Sequence, residues 1–375
     1  MKVIIAAAGT GGHINPGIAI ANKIKEEQPS STILFIGTQR GLENDLVPRA
    51  GYELKKIEAY GISREFTLQN IKKMCKTIKG IGEAKKIVEE FKPDIVIGTG
   101  GYICGPVILA AQRYNIPVIL HESNAFPGIT VKLFAKKVEA VLVGFKEAKQ
   151  RLKKAKRVVV TGTPTKIQKM ELTSEQKEEI KNQLGLKGKK PIVLVFGGSQ
   201  GAKSINNAML QIIEQEKNVN YQVIWSVGHS QYDQIKEELE NRGKNIANLK
   251  EAKVVPYLYN MQEVLNTVDL IVARSGAMTI TEIAMVGKPA IFIPFPNAAE
   301  NHQEYNARVL EKVGAANIIL DRDLTEEILS TTIENMIAHP QNLESMGKKA
   351  RAVCIEEVPQ KIYKEIQNMV NVPKK

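Results

Sequence analysis

Val3-Ile4-Ile5-Ala6-Ala7-Ala8 runs straight into Gly9-Thr10-Gly11-Gly12-His13, and Asn15-Pro16 comes directly after. An unbroken apolar run of this kind reads as a strand buried on both faces. Glycines placed directly after it read as a tight turn, and the Asn-Pro step marks the opening of a helix. The pattern starts a second time. Ile192-Val193-Leu194-Val195-Phe196 leads into Gly197-Gly198-Ser199-Gln200-Gly201, with a helix expected from Ala202.

Short Val- and Ile-rich runs at 32–36, 94–97, 117–120, 140–143 and 158–161 alternate with amphipathic stretches after the first start. Runs at 221–226, 269–272 and 289–293 do the same after the second. Alternation of this type predicts βαβ units with parallel strands covered by helices on both faces. The fold class is therefore α/β, with two doubly wound, Rossmann-like domains. The boundary is expected near Thr161-Gly162-Thr163-Pro164, which gives domains at 1–163 and 164–340. An amphipathic tail, 341–375, can return to the first domain. Two such domains place the C-terminal ends of their strands on facing sides of a cleft, which suits a reaction between two substrates.

The 375 residues suffice for two cores, and 43% hydrophobic with 25% charged residues marks a globular chain. No uncharged apolar run is long enough to span a bilayer, and the start lacks the features of a signal peptide, so a cytoplasmic protein is expected. Cys75, Cys104 and Cys354 are sparse and form no CxxC pair, which argues for free thiols and against a zinc site. The net charge of +12 lies entirely in residues 1–163, where 26 Lys and Arg stand against 14 Asp and Glu; residues 164–375 balance at 26 and 26. The first half is thus expected to meet a polyanion.

Three glycine-rich turns come after strands: 9–12, Gly98-Thr99-Gly100-Gly101 and 197–201. Their amides, and the positive end of the helix behind each, suit phosphate. They do not fit a dinucleotide fingerprint, because the first has Ile14 at its third position and no acid ends the second strand at Phe35-Ile36-Gly37-Thr38. No GxxxxGK[ST] is present. A nucleic-acid binder is disfavoured by 5% aromatic content and by the lack of an RNP, helix-turn-helix or zinc-finger pattern.

Four segments together resemble the MurG family, which adds N-acetylglucosamine to lipid I. They are Gly9-Thr10-Gly11-Gly12-His13-x-x-Pro16, Gly98-Thr99-Gly100-Gly101-Tyr102-x-x-Gly105-Pro106, Gly197-Gly198-Ser199-Gln200-Gly201-Ala202 and Arg274-Ser275-Gly276-Ala277-x-Thr279-x-x-Glu282. His121-Glu122-Ser123-Asn124, Pro294-Phe295 and Asn301-His302-Gln303 extend the match past residue 300. The resemblance implies a GT-B fold, UDP-GlcNAc as donor, inversion at the anomeric carbon and lipid II as product.

An inverting transfer needs a base for the acceptor hydroxyl. His13, at the end of a phosphate-type loop, is the first choice, and Glu122 is the alternative. The resemblance assigns acceptor pyrophosphate to Gly11, Gly12, Gly100, Gly101 and Tyr102. It assigns UDP-GlcNAc to Thr10, Gly11, Gly12, Asn124, Lys166, Ser199, Leu258, Met261, Ala277, Met278, Thr279, Glu282 and Gln303. A carboxylate at Glu282 offers paired acceptors to the ribose diol, although Thr279-x-x-Glu282 also reads as a capping box. Lys166 stands where the family carries Arg, Asn15 where an aromatic is common, and Ser123 where Gln is common. No metal or cofactor is called for, since helix dipoles and amides can meet the charge on departing UDP. Asp321-Arg322-Asp323 reads as a turn ahead of a helix rather than as a metal motif.

Residues 64–86 mix Phe66, Leu68, Ile71, Met74, Ile78 and Ile81 with seven Lys or Arg, and residues 132–157 hold ten against two Glu. These stretches point to peripheral attachment at the cytoplasmic face of an anionic membrane. Two rival readings use the same scaffold: a UDP-sugar epimerase, and a transferase for another lipid acceptor.

Overall fold

The structure, a computed structural model, describes residues 1–61, 67–198, 200–215, 219–249 and 251–371. Ser199, Arg64, Phe66 and the Ile71 side chain lie outside them. The chain divides into two compact units, Met1–Lys166 with Ile355–Lys375, and Ile167–Cys354.

In the first unit the strands are β1 (Lys2–Ala7), β2 (Thr32–Gly37), β3 (Glu53–Lys56), β4 (Ile95–Gly100), β5 (Val118–Glu122), β6 (Ala140–Val143) and β7 (Val158–Val160). They form a parallel sheet in the order β3-β2-β1-β4-β5-β6-β7. Successive side chains of a strand leave opposite faces of the sheet, so β1 feeds two cores. Val3, Ile5 and Ala7 enter one core with Ile14, Ile18 and Ala21 of helix α1 (Gly11–Glu27). Ile4, Ala6 and Ala8 enter the other, which includes Ala84, Ile87 and Val88 of a helix spanning Leu68–Phe91 and Val107 and Ile108 of one spanning Cys104–Arg113. Both faces are covered, so the run needs no polar residue.

The second unit repeats the plan with β8 (Ile192–Phe196), β9 (Gln222–Ser226), β10 (Ala252–Val255), β11 (Leu270–Ala273), β12 (Ala290–Phe292) and β13 (Ala316–Ile318). The order is β10-β9-β8-β11-β12-β13, again parallel. Strand order reverses between β1 and β4 in one sheet and between β8 and β11 in the other. Doubly wound sheets bind ligands beyond the strand C-termini at such switch points. The glycine-rich turns lie at these two places.

The end of the chain divides between the units. The helix Pro340–Ala352, expected from the sequence to belong with the tail, is part of the second unit, where Gly347 packs its backbone against Gly287. Its apolar stripe of Leu343, Gly347 and Ala350 explains the docking. The chain then returns, and the helix Val358–Val370 places Val358, Ile362, Tyr363 and Ile366 in the β1–α1 core. Their spacing puts them on one face. Replacing Ile362 with Ala should therefore cost the first unit about 2–5 kcal/mol. Urea unfolding checks this: far-UV ellipticity should show an earlier transition, while the fluorescence of Trp225, buried in the second unit, should keep its midpoint.

Candidate active site

His13 sits in the first turn of α1, after Thr10 in the extended N-cap position. The amides of Gly11 and Gly12 open this helix and by helix geometry have no intrahelical acceptor. His13 Nδ1 lies 3.1 Å from the Ala8 carbonyl. A carbonyl only accepts, so Nδ1 carries the hydrogen and Nε2 keeps its lone pair. Thr99 Oγ1 donates to the His13 carbonyl at 2.8 Å, which joins the second glycine turn to the first. Burial holds the imidazole below its ordinary pKa, against the hydrogen bond to Ala8 and the charge of Glu43, which pull the other way. The ring is therefore neutral at pH 7.

Glycine is required where the turns meet. A Cβ on Gly100, at φ +135°, would lie 2.2 Å from His13 Cδ2. One on Gly101, at φ +82°, would lie 2.8 Å from the Ala8 carbonyl oxygen. Tyr102 comes next, with its side chain substantially exposed.

Glu122 ends β5 and is buried. Its Oε1 accepts from the Asn124 amide nitrogen and from Asn124 Nδ2, both at 2.9 Å, and its Oε2 accepts from Gly128 N at 2.7 Å. The carboxylate thus shapes the loop after β5 and orients the Asn124 side chain. Next to it, buried His121 lies 3.0 Å through Nε2 from the Gly162 carbonyl, and Ser123 Oγ lies 3.4 Å from its Nδ1. Burial pushes His121 down to about 4. Lys166 is exposed and is the last residue of the first unit before the chain crosses.

In the second unit the turn after β8 is equally tight. A Cβ on Gly201 would lie 2.1 Å from the Val227 carbonyl oxygen, and one on Gly197 2.3 Å from Ala202 N. Beyond β11, Gly276 is the N-cap of the helix Ala277–Val286, so the amides of Ala277, Met278 and Thr279 point out of its first turn. The capping-box pattern of Thr279 and Glu282 falls inside this helix, so Thr279 caps nothing. Gln303 Oε1 accepts from Ser275 N at 3.2 Å and Phe295 N at 3.0 Å, leaving its NH₂ group as the donor it can present to a ligand. Leu258 is buried and Met261 half-buried.

Asp321-Arg322-Asp323 forms a short 3₁₀ turn, and the next helix is capped by Thr325. Asp321 is engaged elsewhere. It accepts from Arg274 and, at 2.6 Å, from Ser204 Oγ, while Arg274 also donates to the carbonyls of Ile293 and Pro294 at 3.0 and 3.1 Å. The bridge ties the ends of β11, β12 and β13 to the helix behind the β8 turn. No sequence pattern announces it. The same holds for the ring cluster in which His229 stacks on Tyr257 at 5.4 Å and exposed Tyr259 meets Tyr257 edge-on at 5.0 Å. His229 and Tyr257 are distant in sequence, and the β9–β10 register brings them together.

Two parallel sheets, each carrying glycine-rich turns at its switch point, define a GT-B glycosyltransferase fold. Models of the glycosyltransferase family 28 N-terminal and C-terminal domains match residues 3–143 and 192–364. The chain is 44% identical, over 98% of its length and 100% of the relative's, to the UDP-N-acetylglucosamine–N-acetylmuramyl-(pentapeptide) pyrophosphoryl-undecaprenol N-acetylglucosamine transferase of Thermoanaerobacter sp. strain X514. The crystal structure of Acinetobacter baumannii MurG superposes with a TM-score of 0.78 at 29% identity, over 98% of this chain and 99% of that one. The chain belongs to the MurG family of glycosyltransferases. A UDP-GlcNAc 2-epimerase from Neisseria meningitidis, at 14% identity and a TM-score of 0.65 over 98% of this chain and 100% of that one, shares the fold alone.

The buried histidine beside this site has a consequence for stability. His121 is held at about 4 in the fold against an ordinary 6.5, so below pH 6.5 the unfolded chain binds a proton that the folded one refuses. Stability is unaffected by His121 above 6.5 and falls by about 3 kcal/mol as pH drops toward 4. Urea midpoints across this range should show a shallower acid slope in His121→Gln than in the wild type.

Proposed function

We propose that the chain transfers N-acetylglucosamine from UDP-GlcNAc to lipid I (undecaprenyl-pyrophosphoryl-MurNAc-pentapeptide), giving lipid II for peptidoglycan synthesis. The observation that carries this reading is the neutral His13 imidazole, fixed in one tautomer between two amide-rich turns. The acceptor hydroxyl gives its proton to His13 Nε2 and attacks the anomeric carbon, the bond to UDP breaks, and configuration inverts. Glu122 spends its oxygens on Asn124 and Gly128, so its role is to orient Asn124 toward the donor sugar.

The acceptor pyrophosphate is assigned to Gly11, Gly12, Gly100, Gly101 and Tyr102 in the first unit. In the second, the amides of Ala277, Met278 and Thr279 and the positive end of their helix meet the charge on departing UDP. Glu282 takes the ribose diol, Gln303 the sugar hydroxyls, and Leu258 and Met261 flank the uracil. Thr10, Gly11 and Gly12 also face the donor, and Ser199 and Lys166 complete the diphosphate contacts.

Among the described residues, no helix is long and apolar enough to cross a membrane. A lipid-borne acceptor is reached instead from the surface. Leu68, Met74 and Ile78 are exposed on a helix that also carries Lys72, Lys73, Lys76 and Lys79. Ile129 and Leu133 are exposed near Lys132 and Lys136. Apolar side chains among cations suit peripheral binding to anionic lipid on the cytoplasmic face.

Two measurements test this. His13→Ala should lower transfer from UDP-[¹⁴C]GlcNAc to a lipid I analogue by about 10²–10⁴-fold without weakening UDP binding; full activity in the variant removes His13 from the base role. Sedimentation with phosphatidylglycerol vesicles should show strong binding at 0.1 M salt and little at 1 M, where the screening length falls from about 10 Å to about 3 Å.

A further inference from the structure

Glu43 lies just beyond the β2 strand, in the first turn of a helix spanning Glu43–Arg49, and is fully buried. Its Oε1 accepts from Thr38 N at 2.8 Å and Thr38 Oγ1 at 2.7 Å, and its Oε2 accepts from Gly9 N at 3.0 Å. A carboxylate taken out of water needs such donors, because an unpaired buried charge is costly. Leu42 N donates back to the Gly9 carbonyl at 3.2 Å. Both backbone groups of Gly9 are therefore held by the segment joining β2 to its helix, far away in sequence.

The space around this carboxylate is made by glycine. A Cβ on Gly41 would lie 1.9 Å from Glu43 Oε2, and one on Gly37 2.6 Å from its Cγ. Gly9, at φ +96°, is where the chain leaves β1 for the turn holding Gly11, Gly12 and His13. The residue before it, Ala8, supplies the carbonyl that fixes His13 Nδ1. Whatever sets the Gly9 peptide thus sets the direction of the two amides and of the imidazole.

We propose that Glu43 is a positioning residue for the acceptor side of the reaction, clamping Gly9 so that the Gly11 and Gly12 amides and His13 Nε2 point at the acceptor. This rests on the reading of His13 as base. Glu43 acts through the turn, and the Gly9 amide is the group through which it does so.

The test uses the full chain and three variants: Glu43→Gln, Thr38→Val and His13→Ala. Glutamine keeps the shape, but its NH₂ must face either Gly9 N–H or the Thr38 donors, donor against donor. Steady-state transfer to a lipid I analogue should show kcat/KM for the acceptor reduced about 10- to 100-fold in Glu43→Gln, the scale of a misplaced reacting group. UDP affinity by calorimetry should stay within about twofold of wild type, because the uracil, ribose and diphosphate are assigned to residues outside the clamped turn. Thr38→Val, which removes one of the three donors, should shift the same ratio in the same direction by about 3- to 10-fold. An acceptor kcat/KM within about twofold of wild type in Glu43→Gln overturns the proposal, as does a parallel loss of UDP affinity. If Glu43→Gln yields no folded protein, Thr38→Val decides by the same criterion. Full activity in His13→Ala strikes the base reading instead, and a Glu43→Gln defect that persists beside it keeps the clamp but moves its target to the amides.

Discussion

An imidazole and two glycines share one small volume beyond β1 and β4. The Ala8 carbonyl occupies the position a Gly101 side chain would need, and it also takes the Nδ1 hydrogen of His13. The ring in turn fills the space a Gly100 side chain would need. Backbone conformation, glycine identity and imidazole tautomer are therefore one constraint. A change to any of the three forces the others to move. Strand order places this junction at the switch point, where a parallel sheet leaves an opening for a ligand.

The carboxylates near the two switch points are largely spent on holding loops. Glu43 clamps Gly9, Glu122 organises Asn124 and Gly128, and Asp321 anchors Arg274 and Ser204. What the turns offer to a phosphate is then largely backbone amide and helix N-terminus, a positive environment set by the fold itself. Such preorganisation favours phosphoanions at a low entropy cost.

Much of this was legible in the sequence, for identifiable reasons. Buried central strands announce themselves as unbroken apolar runs, and glycines with imposed φ sit where the turns are. The strands that carry no such run are β3, β10 and β13, all at sheet edges. Glu53-Leu54-Lys55-Lys56 and Ala316-Asn317-Ile318 carry polar residues because an edge is wetted on one side, so the apolar signal disappears. β4 runs on to Gly100, past the expected end at 97, through a shift of pairing between Ala6 and Ala7. The Glu43 clamp and the Arg274–Asp321 bridge link residues 34 and 47 positions apart, and no local pattern signals such pairs. The stacking of His229 on Tyr257 belongs to the same class.

The first unit is made from two pieces of chain, with Val358–Val370 laid onto α1 after the whole second unit has intervened. A ribosome delivers these pieces in order. The second unit has all of its residues once Cys354 has emerged, whereas the β1–α1 core keeps an uncovered apolar face until the last helix arrives. Domains generally fold as units during synthesis, N-terminal first. Here the half of the molecule that is translated first is the half that is completed last.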